Sequence, residues 1–135
     1  MLTLFTNRFQ AFTPAQGVPV RITRGNPRWK LAYELAHQVH ELAPGTSYFR
    51  EPEPVFTAGY RADLDRIGAP KIAELLQTIT TQAGDHRLVL LCFEDLSRPG
   101  EWCHRRIFAD WWHERTGDLV RELGPRPTHE QTALM

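Results

Sequence analysis

Six consecutive apolar residues, Leu88-Val-Leu-Leu-Cys-Phe93, stand between Arg87 and Glu94 and form the longest clean apolar run in the chain. A strand with one solvated face alternates apolar and polar residues, because successive side chains point to opposite faces. A run without alternation suits a strand covered on both faces, the habit of parallel sheets. It falls far short of the ~20 apolar residues that a membrane-spanning helix needs. Residues 87–94 therefore read as a central strand that the rest of the chain has to cover.

The remaining pattern supplies that cover. Residues 2–5 read as a strand, and residues 18–23 as another, with Val18, Val20 and Ile22 on one face. Pro19 suggests the start of that strand or an edge position. A helix is expected over residues 31–43 through the stripe Leu31, Leu35, Val39 and Leu42, with Pro44-Gly45 stopping it. On that reading His37, His40 and Glu41 face water. Further helices are expected over residues 55–67, through Phe56, Tyr60, Leu64 and Ile67, and from Pro70 to about Thr80. Tyr60 reads as a core residue with its hydroxyl at the surface. Residues 102–115 read as another helix, with Trp111 in the core and an exposed Trp112 as a dimer contact or ligand wall. Residues 119–123 read as a last short strand. The expected fold is a single α/β domain over residues 1–123, with a mostly parallel sheet of about four strands flanked by helices. Residues 124–135 read as a loose tail.

Composition limits the function classes. The chain has 135 residues, 16 Lys+Arg against 16 Asp+Glu, 41% hydrophobic and 24% charged, the balance of one globular domain. Zero net charge argues against binding nucleic acid by bulk electrostatics, but not against a local basic pocket. Two cysteines and no secretion-signal pattern lead us to expect a cytoplasmic protein with reduced thiols.

The chemistry-bearing residues gather where strands should end. Cys92 and Glu94 leave the central strand two positions apart, on one face. Cys103, His104, Arg105 and Arg106 open the following helix, whose unpaired N–H groups favour an anion. Arginines avoid that end unless an anion or a carboxylate such as Glu94 offsets them. If the strands are parallel, two further exits meet the same sheet edge: Thr6, Asn7 and Arg8 after the first, and Arg24 and Gly25 after the second. Gly25 lets backbone approach closely, and Arg24 has the fork for a phosphate or carboxylate. The expected site has Arg24, Gly25, Arg105, Thr6, Asn7 and Cys92 as ligand-binding residues. Cys103 is the candidate nucleophile or redox thiol, His104 its polariser and Glu94 the orienting carboxylate.

Three stretches also carry a resemblance to the DUF488 family, a domain of unknown function in its short form. They are Thr6-Asn-Arg-Phe9, Arg21-Ile-Thr-Arg-Gly-Asn-Pro-Arg-Trp29, and Leu90-Leu-Cys-Phe-Glu94 followed by Cys103-His-Arg105. The resemblance spans roughly residues 2–123 and implies a compact α/β fold. It brings no established activity, substrate or cofactor.

Each residue also has a plainer reading. A buried Cys92 packs as a small hydrophobe. His104 fixes a loop by bonding backbone carbonyls, and Arg105 pairs with Glu94, Asp95 or Glu101. A Cys92–Cys103 disulfide is disfavoured by the expected compartment. Cys92, Glu94, Cys103 and His104 are suitable metal ligands by type, but neighbours in a helical turn point about 100° apart, so no metal is expected there. No cofactor is implied. The readings left open are an anion- or nucleotide-binding protein, a non-enzymatic interaction module that dimerises, and a nucleic-acid binder using Arg21, Arg24, Arg28, Trp29 and Lys30.

Overall fold

The computed structural model describes residues 2–98 and 100–124, so the expected tail beyond Gly124 lies outside the described residues. Five strands, β1 (Thr3–Arg8), β2 (Val18–Arg21), β3 (His37–Gln38), β4 (Arg87–Cys92) and β5 (Arg121–Glu122), form one sheet in the order β3-β2-β4-β1-β5. Every pairing is parallel. The apolar run lies at the centre as β4. Its Arg87 stands opposite Thr3 and its Cys92 opposite Arg8 on one side. Leu88 stands opposite Val18 and Leu91 opposite Arg21 on the other. Leu88 through Cys92 are wholly buried, as the missing alternation requires.

Three helices, α1 (Glu53–Ile67), α2 (Ala69–Ala83) and α3 (His104–Thr116), cover one face of this sheet. Leu88 and Leu90 of β4 pack there with Tyr60, Leu64, Leu76, Phe108 and Trp111. Val89 and Leu91 point the other way, into a second cluster with Phe9 and Phe12. Phe5, Leu31, Tyr33, Leu35 and Leu123 pack against that cluster, and among the described residues no helical hydrophobic does. The domain is α/β with a parallel sheet, but its helices lie on one side and irregular chain closes the other.

The expected helix over residues 31–43 is absent. The segment is extended, with β3 and a short 3-10 turn at His40–Leu42. Burial alternates along it: Leu31, Tyr33 and Leu35 are half-buried, while Ala32, Glu34 and Ala36 are exposed. The same residues satisfy a helical stripe and a period-two pattern, and pairing of His37 with Val20 decides for the strand. Two other expectations are corrected. Trp112 is buried, stacked on Phe108 at 5.6 Å between centroids. Tyr60 is fully buried, and its hydroxyl donates inward to the Leu42 carbonyl at 2.7 Å. No described helix is long and apolar enough to cross a membrane.

Candidate functional site

Parallel strands deliver their carboxyl ends to one edge of the sheet, and ligands of open α/β sheets bind beyond that edge. Here β2 runs out into Thr23, Arg24 and Gly25. β4 runs out into Phe93 and Glu94, and α3 begins beside them. These ends enclose a cavity of about 340 Å³, within the range of small-molecule sites. Arg24, Gly25, Glu94, Cys103 and His104 all line it. Its apolar walls are Pro44, Phe49, Phe56, Phe93 and Trp102. The Arg24 guanidinium lies 5.4 Å from the centroid of Phe49 and donates from Nη1 to the Pro44 carbonyl at 3.2 Å. The side chain is held at the mouth while the residue stays exposed. Glu101 adds a second carboxylate to the lining.

Cys103 and His104 open α3, and their geometry differs from a helical turn. Cys103 is the N-cap, with extended φ −149° and ψ 147°. The two side chains are therefore not set apart by a helical turn. His104 Nε2 lies 2.7 Å from the Ile22 carbonyl. A carbonyl only accepts, so Nε2 carries the proton and Nδ1 keeps its lone pair. That Nδ1 lies 3.7 Å from Cys103 Sγ. Complete burial, with the Arg105 charge adding to it, pushes the imidazole down to about 4, although the Ile22 bond opposes the shift. His104 is thus a neutral acceptor beside the sulfur at physiological pH. The sulfurs of Cys92 and Cys103 are joined as a disulfide, which the compartment argument had disfavoured. Glu94 also lines the cavity. Burial raises its pKa, although hydrogen bonding to its own backbone N–H and the Arg105 charge oppose this, and its Oε2 is buried without a hydrogen-bond partner among the described residues.

Arg105 does not line the cavity. It is 1% exposed, and its fork closes on Glu122, Nε to Oε1 and Nη2 to Oε2, both at 3.0 Å. Its Nη1 donates to Cys92 Sγ and to the Glu94 carbonyl, each at 3.0 Å. The carboxylate that offsets an arginine at this helix start therefore comes from β5, and Glu94 contributes only its backbone. Thr6 and Asn7 are also buried away from the cavity lining. Thr6 Oγ1 donates to Glu122 at 2.7 Å and accepts from Arg106 at 3.0 Å. The Asn7 amide donates to Gln16 at 3.1 Å, and its oxygen accepts from the Arg8 N–H.

The structure thus brings together Arg24, Gly25, Glu94, Cys103 and His104, with Cys92 behind them. It places Arg105, Thr6 and Asn7 in a buried network around Glu122. Sequence reasoning missed Phe49, Phe56, Trp102 and Glu101 as walls of the cavity. Trp102 and Glu101 adjoin the Cys-His-Arg stretch and were findable by proximity. Phe49 and Phe56 carry no local signal, because a loop and the first turn of α1 bring them in from afar. Of the residues weighed for nucleic acid, Arg28, Trp29 and Lys30 are exposed, while Arg21 bonds Gln38 and the Thr23 carbonyl. Comparison with family models, curated proteins and solved structures returned no match.

Proposed function

We propose that the cavity beyond β2 and β4 binds a small anionic molecule of the nucleotide class, with Cys103 as a thiol able to react with it. The observation carrying this reading is the meeting of Arg24, Cys103, His104 and Glu94 on one cavity whose other walls are aromatic. Arg24 anchors a phosphate or carboxylate at the mouth. Phe49, Phe93 and Trp102 offer faces and edges for a planar ring. In the reduced protein His104 Nδ1 accepts a hydrogen bond from the Cys103 thiol and polarises it, and Glu94 orients the reacting group. A cytoplasmic location, where the thiols stay reduced, suits this reading; the DUF488 resemblance brings no activity to it. Arg24→Ala is expected to weaken binding of a nucleoside monophosphate at least about tenfold by isothermal titration, the scale of one charge-assisted hydrogen bond, with the thermal unfolding curve unchanged. Equal affinity in the variant would overturn the reading.

A second reading is favoured by the Arg105 network. If the signature only ties β4, α3 and β5 together, the protein is a non-enzymatic interaction module. Conversion of Arg24 or Cys103 would then leave every ligand titration flat, and light scattering would show self-association or a partner complex. Single-stranded DNA is a weaker candidate, with Arg24, Arg28, Trp29 and Lys30 exposed to meet it, and a salt-titrated binding assay tests it.

A further inference from the structure

We infer that Cys92, Cys103 and His104, with the thiols reduced, form a binding site for one zinc-class divalent cation. The inference goes beyond the proposed function: it places a cation beside the same cavity, where Cys103 and His104 serve as its ligands instead of as a free thiol and its acceptor. Three buried side chains from two elements converge there. Their candidate donor atoms, the two sulfurs and one imidazole nitrogen, all lie within 4.8 Å of one another. Two sulfurs and a nitrogen form the donor set of a zinc site that keeps one position open.

The surroundings also suit a metal site once the bridge is opened. The Cα atoms of Cys92 and Cys103 are 7.5 Å apart, beyond the spacing that suits bridged cysteines. A ligating histidine is held by a hydrogen bond from its other ring nitrogen, and His104 Nε2 donates to Ile22 in this way. Arg105 Nη1, 3.0 Å from Cys92 Sγ, is a donor suited to a thiolate. Charge also balances. One divalent cation, two thiolates and a neutral imidazole sum to zero, and the Arg105 charge is met by Glu122. Burial of such a set therefore needs no further counter-ion.

A second, independent observation lies across the cavity. Glu94 Oε2 is buried and has no hydrogen-bond partner among the described residues. Cys103 and His104 line the same cavity as Glu94. The side of the ion that protein does not cover opens on the cavity that Glu94 also lines.

The chemistry closes with a named reductant. A water-soluble phosphine and one water convert the disulfide into two thiols and the phosphine oxide. Zinc then displaces both thiol protons, which pass to the buffer, and binds the two thiolates and His104 Nδ1.

The test uses the full chain, reduced and stripped with a chelator, and titrated with Zn²⁺ or Co²⁺ alone. We expect one ion per chain, thiolate-to-cobalt charge-transfer absorption, and at least about tenfold slower alkylation of both thiols when Zn²⁺ is present. Cys103→Ser and His104→Ala are expected to lose the charge-transfer band. Because those variants risk misfolding, the alkylation of the unmodified protein is decisive by itself. Alkylation rates unaffected by Zn²⁺, or a cobalt spectrum without thiolate bands, would overturn the inference. Arg24→Ala separates the two proposals. It is expected to weaken nucleotide binding and leave cobalt uptake unchanged. Nucleotide binding that depends on Arg24 in a protein that takes up no cobalt would sink the metal site alone.

Discussion

Arg105 is the costliest side chain at the residue scale. It is almost wholly buried, bidentate on Glu122 and bonded to the Glu94 carbonyl. Removing one partner of such a pair strands the other charge, which costs on the order of 3 kcal/mol. Arg105→Ala is therefore expected to lower the denaturation midpoint substantially, and a midpoint within error of the parent would refute the account. The arginine itself was legible, since Cys103-His-Arg105 stands out in the sequence. Its partner was not. Glu122 reaches it only because β5 lies beside β1, a pairing that no local pattern announces. Asp85 illustrates a local effect. Its side chain bonds the side chain and backbone N–H of Arg87, which holds its carboxyl at about 2 against an ordinary 3.8. The folded pKa is depressed, so this contribution is present above pH 3.8 and disappears as pH falls through about 2. Asp85→Asn is expected to flatten the acid limb of stability between those values; an unchanged limb would refute the assignment.

Elements show how neighbours overrule propensity. Glycine within a helix costs about 1 kcal/mol relative to alanine, so Gly59→Ala in α1 would ordinarily stabilise. Here an added Cβ would stand 2.4 Å from Cδ1 of the buried Tyr48 ring. Tyr48 has little room to give, because its hydroxyl donates to Asp63 at 2.5 Å and accepts the Gly45 N–H at 2.8 Å. We expect Gly59→Ala to destabilise by about 1–3 kcal/mol, read as a lower urea midpoint. A higher midpoint would show that Tyr48 moves freely. The three helices were legible because their apolar periods are unambiguous and breakers bound them, and the central strand because its apolar run lacks alternation. The segment after Lys30 was not. Leu31, Leu35 and Val39 fit a helical stripe, but Leu31, Tyr33, Leu35 and Val39 also fall on alternate positions. The vacant edge of β2 settles the matter by offering hydrogen bonds to an extended chain.

For the whole molecule, the asymmetry of the two layers governs where the fold opens. Helices shield one face, while the other relies on Phe9, Phe12 and the extended chain around Tyr33, whose hydroxyl donates to the Phe9 carbonyl at 2.8 Å. Arg28 and Lys30 are exposed on irregular backbone. Limited trypsin digestion is expected to cut there before any site in α1, α2 or α3. First cuts within the helices would contradict this order of local stability. The sequence by itself determined the class of fold, since a six-residue run without alternation demands cover on both faces and the helical periods supply one layer. It also made the candidate residues visible, because cysteine, histidine and arginine beside a strand exit stand out as types. Tertiary structure alone decided their surroundings. Strand order set Arg105 against Glu122 and left Arg24 at the cavity mouth. The extended backbone of Cys103 turned its sulfur towards Cys92 and His104. Those outcomes depend on contacts between residues far apart in the chain, and side-chain spacing carries no information about them.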